Sequence, residues 1–388
     1  MRRLLLLVAV LVFVDTMLYA ALTPLLPHLV HSKGRAGILV AAYAAGALIG
    51  GLPGGIAAVR VGPRRAVLVG LTAMGLASLG FAFAGSFWGL FASRLLQGVG
   101  SGFTWAGAFA WLLAAAPRER RGELIGSAMG AAVFGALFGP VVGAAAALAG
   151  RATVFAALAS LAVVLGLWTL RIESVPEEDH PSVEAVLRAL RTRRFSAGLA
   201  LMALASLLFG VLATLGPLHL SRAGWGAAAI GGLWLFGAAL ESVEAPLIGR
   251  LSDRRGTRLP VRAGLTASIL VAAALSFGFR PLLYAPLVVV GGMAFGSVFT
   301  PAFVLISDGA ERARLAQGMA FGVMNAAWAL GAVIGPAAAG AIAGVTGDAI
   351  PYVLAAAACV VALAATRSDH ERAAVLVDRL PGDSPRVG

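Results

Sequence analysis

Twelve long apolar runs follow one another along the chain, and that succession restricts it to helices crossing a lipid bilayer. The first six are Leu4–Leu25, Ile38–Val59, Ala66–Ala84, Trp88–Ala115, Leu124–Leu148 and Thr153–Leu170. The second six are Ala197–Leu218, Ala227–Leu247, Ala263–Phe279, Leu282–Ile306, Gly318–Ala343 and Ile350–Ala365. Hydrocarbon offers no partner to a backbone amide, so each run must satisfy its own polar groups as a helix of roughly 20 residues. In 388 residues, that leaves no connecting segment long enough for a catalytic domain. Only 12% of residues are charged, too few to clothe a surface facing water. The 50 glycines suit helices packed through small side chains.

The net charge of +12 could suggest a nucleic-acid partner, but its distribution argues against one. Of 30 Lys and Arg, 24 lie on the side that carries both chain ends. Five lie opposite (Lys33, Arg35, Arg151, Arg222 and Arg280), and Arg94 lies inside a run. Positive segments stay in the cytoplasm, so both termini are expected there, with the chain multi-pass in the plasma (inner) membrane. The first run carries Asp15 and no small-residue cleavage site, and is expected to be a retained span rather than a signal peptide. Cys359 is the only cysteine, which leaves no intrachain disulfide. Lys33 is the only lysine and no glycine-rich loop precedes it, so phosphate-loop ATP hydrolysis is excluded. His28 and His31 are too few for a metal site, and no cofactor is expected.

Internal repetition then divides the chain. Gly55, Arg60, Gly62 and Arg64 after the second run are matched, 194 residues on, by the segment holding Gly249, Asp253, Arg254, Gly256 and Arg258. Gly135, Gly139 and Pro140 in the fifth run match Gly331, Gly335 and Pro336 in the eleventh. Gly102-Phe103-Thr104 matches Val298-Phe299-Thr300. Three matches at nearly one spacing indicate a tandem duplication. The expected units are bundles at 1–171 and 196–367, a cytoplasmic linker at 172–195 with an amphipathic stretch at Val183–Leu190, and a tail at 368–388.

These motifs resemble the major facilitator superfamily over essentially the whole chain. The Gly249–Arg258 segment is similar to its gating loop, and Arg94 with Gln97, Gly98 and Gly100 to the fourth-span motif of proton-coupled members. The Gly-Pro motif of the fifth run, Asp15 with Pro24 and Pro27, and Glu119 to Gly122 resemble drug/proton antiporters and vesicular amine transporters. The resemblance implies an all-α fold of two pseudo-symmetric six-helix bundles, no enzymatic activity, and efflux in exchange for protons. Two departures stand out. Val59 replaces the usual aspartate of the first loop, leaving Asp253 alone, and Asn325 stands where amine transporters carry an acid.

The remaining signal is charge inside the apolar runs. A charged side chain at the bilayer centre costs about 2.5 kcal/mol or more, so Asp15, Arg94, Glu241 and Glu244 are the candidate proton and substrate-coupling residues. Glu241 and Glu244, at i and i+3, share a helix face. Tyr19, Tyr43, Gln97, Trp105, Trp234, Asn325 and Trp328 are the candidate cavity residues, the aromatics as a cage for a cationic or planar ligand. The glycine–proline motifs are expected to serve helix packing. The resulting expectation is a monomeric exporter whose partners are a small molecule, protons and lipid. Export of a neutral metabolite or sugar, and a transport-inactive sensor on the same scaffold, are the alternatives.

Overall fold

The computed structural model describes residues 2–117, 121–173, 183–315 and 317–378. Among these the regular structure is entirely helical. The first half contains α1 (Arg2–Ala20), α2 (Leu22–Leu29), α3 (Lys33–Val61), α4 (Pro63–Phe83), α5 (Phe87–Ala115), α6 (Arg121–Ala149) and α7 (Arg151–Leu170). After the short α8 (Val183–Leu190), the second contains α9 (Arg193–Arg222), α10 (Ala227–Arg255), α11 (Arg258–Ser276), α12 (Pro281–Gly296), α13 (Phe299–Arg312), α14 (Gln317–Thr346) and α15 (Ala349–Asp378). Eleven described segments are long and apolar enough to cross a membrane, α1–α2 and α12–α13 each counting as one. The twelfth crossing is α5, whose apolarity is diluted by Ser93, Arg94, Gln97, Ser101 and Thr104. All five are buried against neighbouring helices rather than turned to lipid.

Two of the expected spans are broken helices. The first is interrupted at Ala21 and the tenth at Ser297–Val298. Proline accounts for both: Pro24 supplies no amide for the Ala20 carbonyl, and Pro301 none for that of Ser297. The tenth span has no continuous counterpart of α5 because its packing differs. In the first half, Gly46, Gly50 and Gly54 of α3 lie directly on the backbone of α5 at Gly98, Val99, Gly102 and Phe103. At the 194-residue spacing, the α10 equivalents are Leu240, Glu244 and Ile248, whose bulk keeps α10 from so close an approach.

The duplication is visible in backbone detail. Gly62 and Gly256, 194 residues apart, both take positive φ (96° and 75°) where the chain turns into the next helix, a conformation glycine adopts without steric cost. Thr16 donates to the Ala132 carbonyl at 2.7 Å, tying α1 to α6, and Ser206 donates to the Trp328 carbonyl at 2.8 Å, tying α9 to α14. Gly135 and Gly139 lie on the backbone of α1, and Gly331 and Gly335 on that of α9, which is the packing role expected of them.

The halves meet mainly through two helix pairs, α3 with α14 and α6 with α10, with α2 also against α9 and α10, and each of the two main pairs is closed at one end only. At the end away from the termini, Gly37 abuts Pro336 and Gly340, and Gly231 abuts Pro140 and Ala144. Eighteen residues make five turns of helix, or roughly 27 Å, and return to the same face. Gly55 and Gly322 are those returns from Gly37 and Gly340, and Gly126 is the return from Ala144; a Cβ at any of the three would meet no atom of the described residues within 4 Å. Gly249, the return from Gly231, has only Thr300 of its own half nearby. The halves are therefore splayed at the terminal end.

Candidate functional site

The break in the first span sets the centre of the site. Asp15, nearly two turns before the break on α1, is 3% exposed. Its Oδ1 accepts a hydrogen bond from the Tyr43 hydroxyl of α3 at 2.7 Å, and its Oδ2 accepts one from Trp105 Nε1 of α5 at 2.7 Å. A carboxylate in an apolar span thus has both oxygens bonded by neutral donors from two other helices, which offsets much of its desolvation.

Arg94 is fully buried on α5 but does not touch Asp15. Its guanidinium donates to the Leu18 and Tyr19 carbonyls at 3.0 and 3.1 Å, at the end of α1, and to Gln97 at 3.0 Å. It lies 4.7 Å over the ring of Tyr43, the same tyrosine that bonds Asp15. Gln97 donates onward to Ser78 at 3.2 Å. The cation fastens the broken end of α1 to α5, and Arg94 Nε has no hydrogen-bond partner among the described residues.

An aromatic chain links this network to the other half. Tyr19 packs on Tyr43 with centroids 5.4 Å apart, and meets Trp328 of α14 edge-on at 5.3 Å. Trp105 stacks on Phe109 at 5.4 Å. Asn325, one turn before Trp328 on the same helix face, is half-buried and makes no hydrogen bond among the described residues. Tyr19, Tyr43, Trp105, Trp328 and Asp15 thus assemble at one level of the bundle, and Asn325 lies a turn away. Gln97 is sealed inside the first half instead, and Trp234 is wedged against Gly216 of α9, a packing role.

The second half holds a separate pair of acids. Glu241 folds over Gly296, where only hydrogen leaves room for it, at the last residue of α12 before the break. Glu244 Oε2 is buried with no hydrogen-bond partner among the described residues. Of the gating residues, Gly55 and Gly249 occupy the open terminal-end face, and Gly62 and Gly256 make the turns. Arg60 and Arg254 are exposed. The side chain of Asp253 lies outside the described part, as do Glu119 and Arg120. Among the described residues, no cluster of three or more His, Cys, Asp or Glu is placed to hold a metal ion.

Sequence reasoning missed Thr16, Ser206 and the inter-half polar cluster around Asp348. The first two stand 190 residues apart, off the spacing of the other repeat matches, so the duplication did not point to them.

Two helical bundles joined across buried polar groups, with a cleft between them, define a membrane transporter rather than an enzyme. The chain belongs to the Major Facilitator Superfamily, whose family pattern it matches over residues 4–318. No curated protein sequence matches it significantly. Among solved structures, a bacterial homologue of the human lysosomal transporter Spinster, in an inward-facing and unoccupied conformation, is 15% identical. It aligns over 94% of this chain and 96% of its own, with a TM-score of 0.78. The nucleoside transporter NupG is 16% identical over 94% and 98%, with a TM-score of 0.72. The human organic anion transporter MFSD10 is 17% identical over 94% and 99%, with a TM-score of 0.67. At these identities the likeness is one of fold.

Proposed function

We propose that the chain exports a cationic or neutral amphipathic small molecule from the cytoplasm by alternating access, in exchange for protons. The single observation that carries this is Asp15, an acid held inside the membrane by Tyr43 and Trp105 at the level of the inter-half Tyr19–Trp328 contact. Hydrogen bonds from neutral donors hold the group without neutralising it, so it can give up or accept a proton as the helices move. Arg94, bound to the end of α1, couples any movement of that helix to the Tyr43 ring. The splayed terminal end, placed in the cytoplasm by the arginine distribution, supports an inward-facing resting state. The Spinster homologue in its inward-facing conformation supports the same reading.

Two acids contend for the proton. Asp15 is bonded on both oxygens, whereas Glu241 and Glu244 make no hydrogen bond among the described residues, and Glu241 sits against a helix break. The test is accumulation of a cationic dye in proteoliposomes under an imposed pH gradient. Asp15→Asn is expected to abolish uphill transport while leaving downhill exchange. Uphill transport that survives Asp15→Asn but not Glu241→Gln would move the proton to α10.

A neutral polar cargo is the second reading, and the unpartnered amide of Asn325 beside Trp328 favours it. Nucleoside transport by NupG is the corresponding precedent among the similar folds. A neutral substrate predicts that Asn325→Ala raises KM at least several-fold; a cationic one predicts little change.

A further inference from the structure

The only lysine of the chain stands at the closed end of the inter-half seam. Lys33 is the first residue of α3, where a helix N-terminus disfavours a positive charge. Its Nζ lies 2.6 Å from Asp348 Oδ1 and donates to the Ala343 carbonyl at 3.2 Å, near the end of α14. Asp348 immediately precedes α15, where a carboxylate faces the favourable end of a helix. Lys33 thus bridges the two halves through a carboxylate and a helix C-terminus, both complementary to its charge.

The rest of the cluster belongs to the second half. Arg222 at the end of α9 lies 3.2 Å from Asp348 Oδ2, and His219 Nδ1 lies 3.9 Å from the same atom. His219 also stacks on Tyr284, centroids 4.0 Å apart, and Tyr284 shares a 2.8 Å hydrogen bond with Tyr352 of α15. These contacts tie α9, α12 and α15 around Asp348. Lys33 and Asp348 are only 21% and 16% exposed, so the pair is better shielded from water than an ordinary surface ion pair. Arg222, at 54%, is not. Just below, Gly37 and Gly340 bring α3 and α14 into backbone contact.

The geometry points to Lys33–Asp348 as the latch that holds this end of the transporter shut, with Arg222 and His219 orienting Asp348 for it. This rests on the alternating-access reading, because only a relative rotation of the halves parts Lys33 from Asp348. Both are positioning residues and touch no cargo. Lys33→Gln removes the cross-half charge, Lys33→Arg keeps it, and Arg222→Gln breaks only a contact within the second half.

The readout is a buried cysteine at the same seam. Leu218 of α9 is 5% exposed and packs with the core of the first half beside Pro27 and Val30. Leu218→Cys in a Cys359→Ala background is labelled with a methanethiosulfonate reagent in purified, detergent-solubilised protein, so membrane orientation does not matter. Lys33→Gln and Asp348→Asn are expected to raise the labelling rate at least fivefold. Lys33→Arg should stay within twofold of the parent, and Arg222→Gln, which loosens only the orientation of Asp348, should fall between the parent and Lys33→Gln. A second reporter, Gly51→Cys, one turn before Gly55 on α3 and likewise with no described atom within 4 Å of a Cβ, should slow in the neutralised variants. An unchanged Leu218→Cys rate in Lys33→Gln overturns the latch, and so does faster labelling at both reporters, which signals general loosening. Labelling needs no substrate, whereas the export reading is tested by vesicle accumulation, so each can fail without the other.

Discussion

At the scale of single residues, Asp15 shows what a charge in an apolar run reveals and what it hides. Its position and that of Arg94 are legible because the bilayer makes any ionisable group there conspicuous. Their partners are not. Whether Asp15 meets Arg94, or Tyr43 and Trp105, depends on the rotation of three helices, which hydropathy leaves free. Trp234 illustrates the same limit, since an aromatic in a span reads alike whether it lines a cleft or fills the space above Gly216. Tyr43→Phe is expected to strand one buried carboxylate oxygen and to cost about 1–3 kcal/mol. The check is the thermal unfolding midpoint in detergent, where a midpoint equal to the parent would contradict the assigned hydrogen bond. Thr16→Val, by comparison, is expected to cost only about 0.6 kcal/mol, the average for a hydrogen bond between spans.

At the scale of elements, the helices and their order were readable, and Val183–Leu190 emerged with the bounds expected of it. The breaks in the first and tenth spans were not, because a proline in an apolar run can either bend a helix or end it. Pro53, Pro140 and Pro336 sit inside unbroken helices, while Pro24 and Pro301 follow interruptions. The glycine faces were legible only as motifs; the five-turn spacing that links Gly37 to Gly55 and Gly340 to Gly322 has meaning only once the two helices are seen to share a seam. Closure of the splayed end should require those bare faces to meet. Gly55→Leu and Gly322→Leu are therefore expected to reduce turnover at least tenfold while leaving the folded yield near that of the parent. Undiminished turnover in the double variant would show that the terminal ends never come together there. The neighbouring loop carries a companion expectation: Asp253→Asn impairs transport severely, and Val59→Asp is tolerated.

At the scale of the whole molecule, the two-bundle architecture was the most legible feature, because duplication and hydropathy repeat the same signal many times. Orientation rests on the arginine distribution. It predicts that an impermeant thiol reagent on intact cells labels a cysteine placed at Lys33 but not one placed at Arg120. The latch adds a pH expectation. Burial alone would raise the Asp348 carboxyl, but the His219 imidazole and the Lys33 and Arg222 cations outweigh it and hold it below 3.8. A depressed carboxylate lends stability above its unfolded value, and that stability is lost only as pH falls through the lowered one. In a His219→Gln background, the ratio of the Leu218→Cys labelling rate with Lys33→Gln to that without it, which cancels the rise of the thiolate with pH, should therefore stay flat between about pH 5 and 8.

The one-sided closure of the α3–α14 and α6–α10 seams also gives the protein a taper, with a wider footprint in the leaflet at the splayed end and a narrower one in the other. Reversing the splay reverses the taper. Any stress that distinguishes the two leaflets then acts on the conformational equilibrium much as a ligand does, favouring whichever shape it fits better. On the alternating-access reading, cone-shaped lipids and vesicle curvature would then act as loads on the cycle, shared between the polypeptide and the membrane that surrounds it.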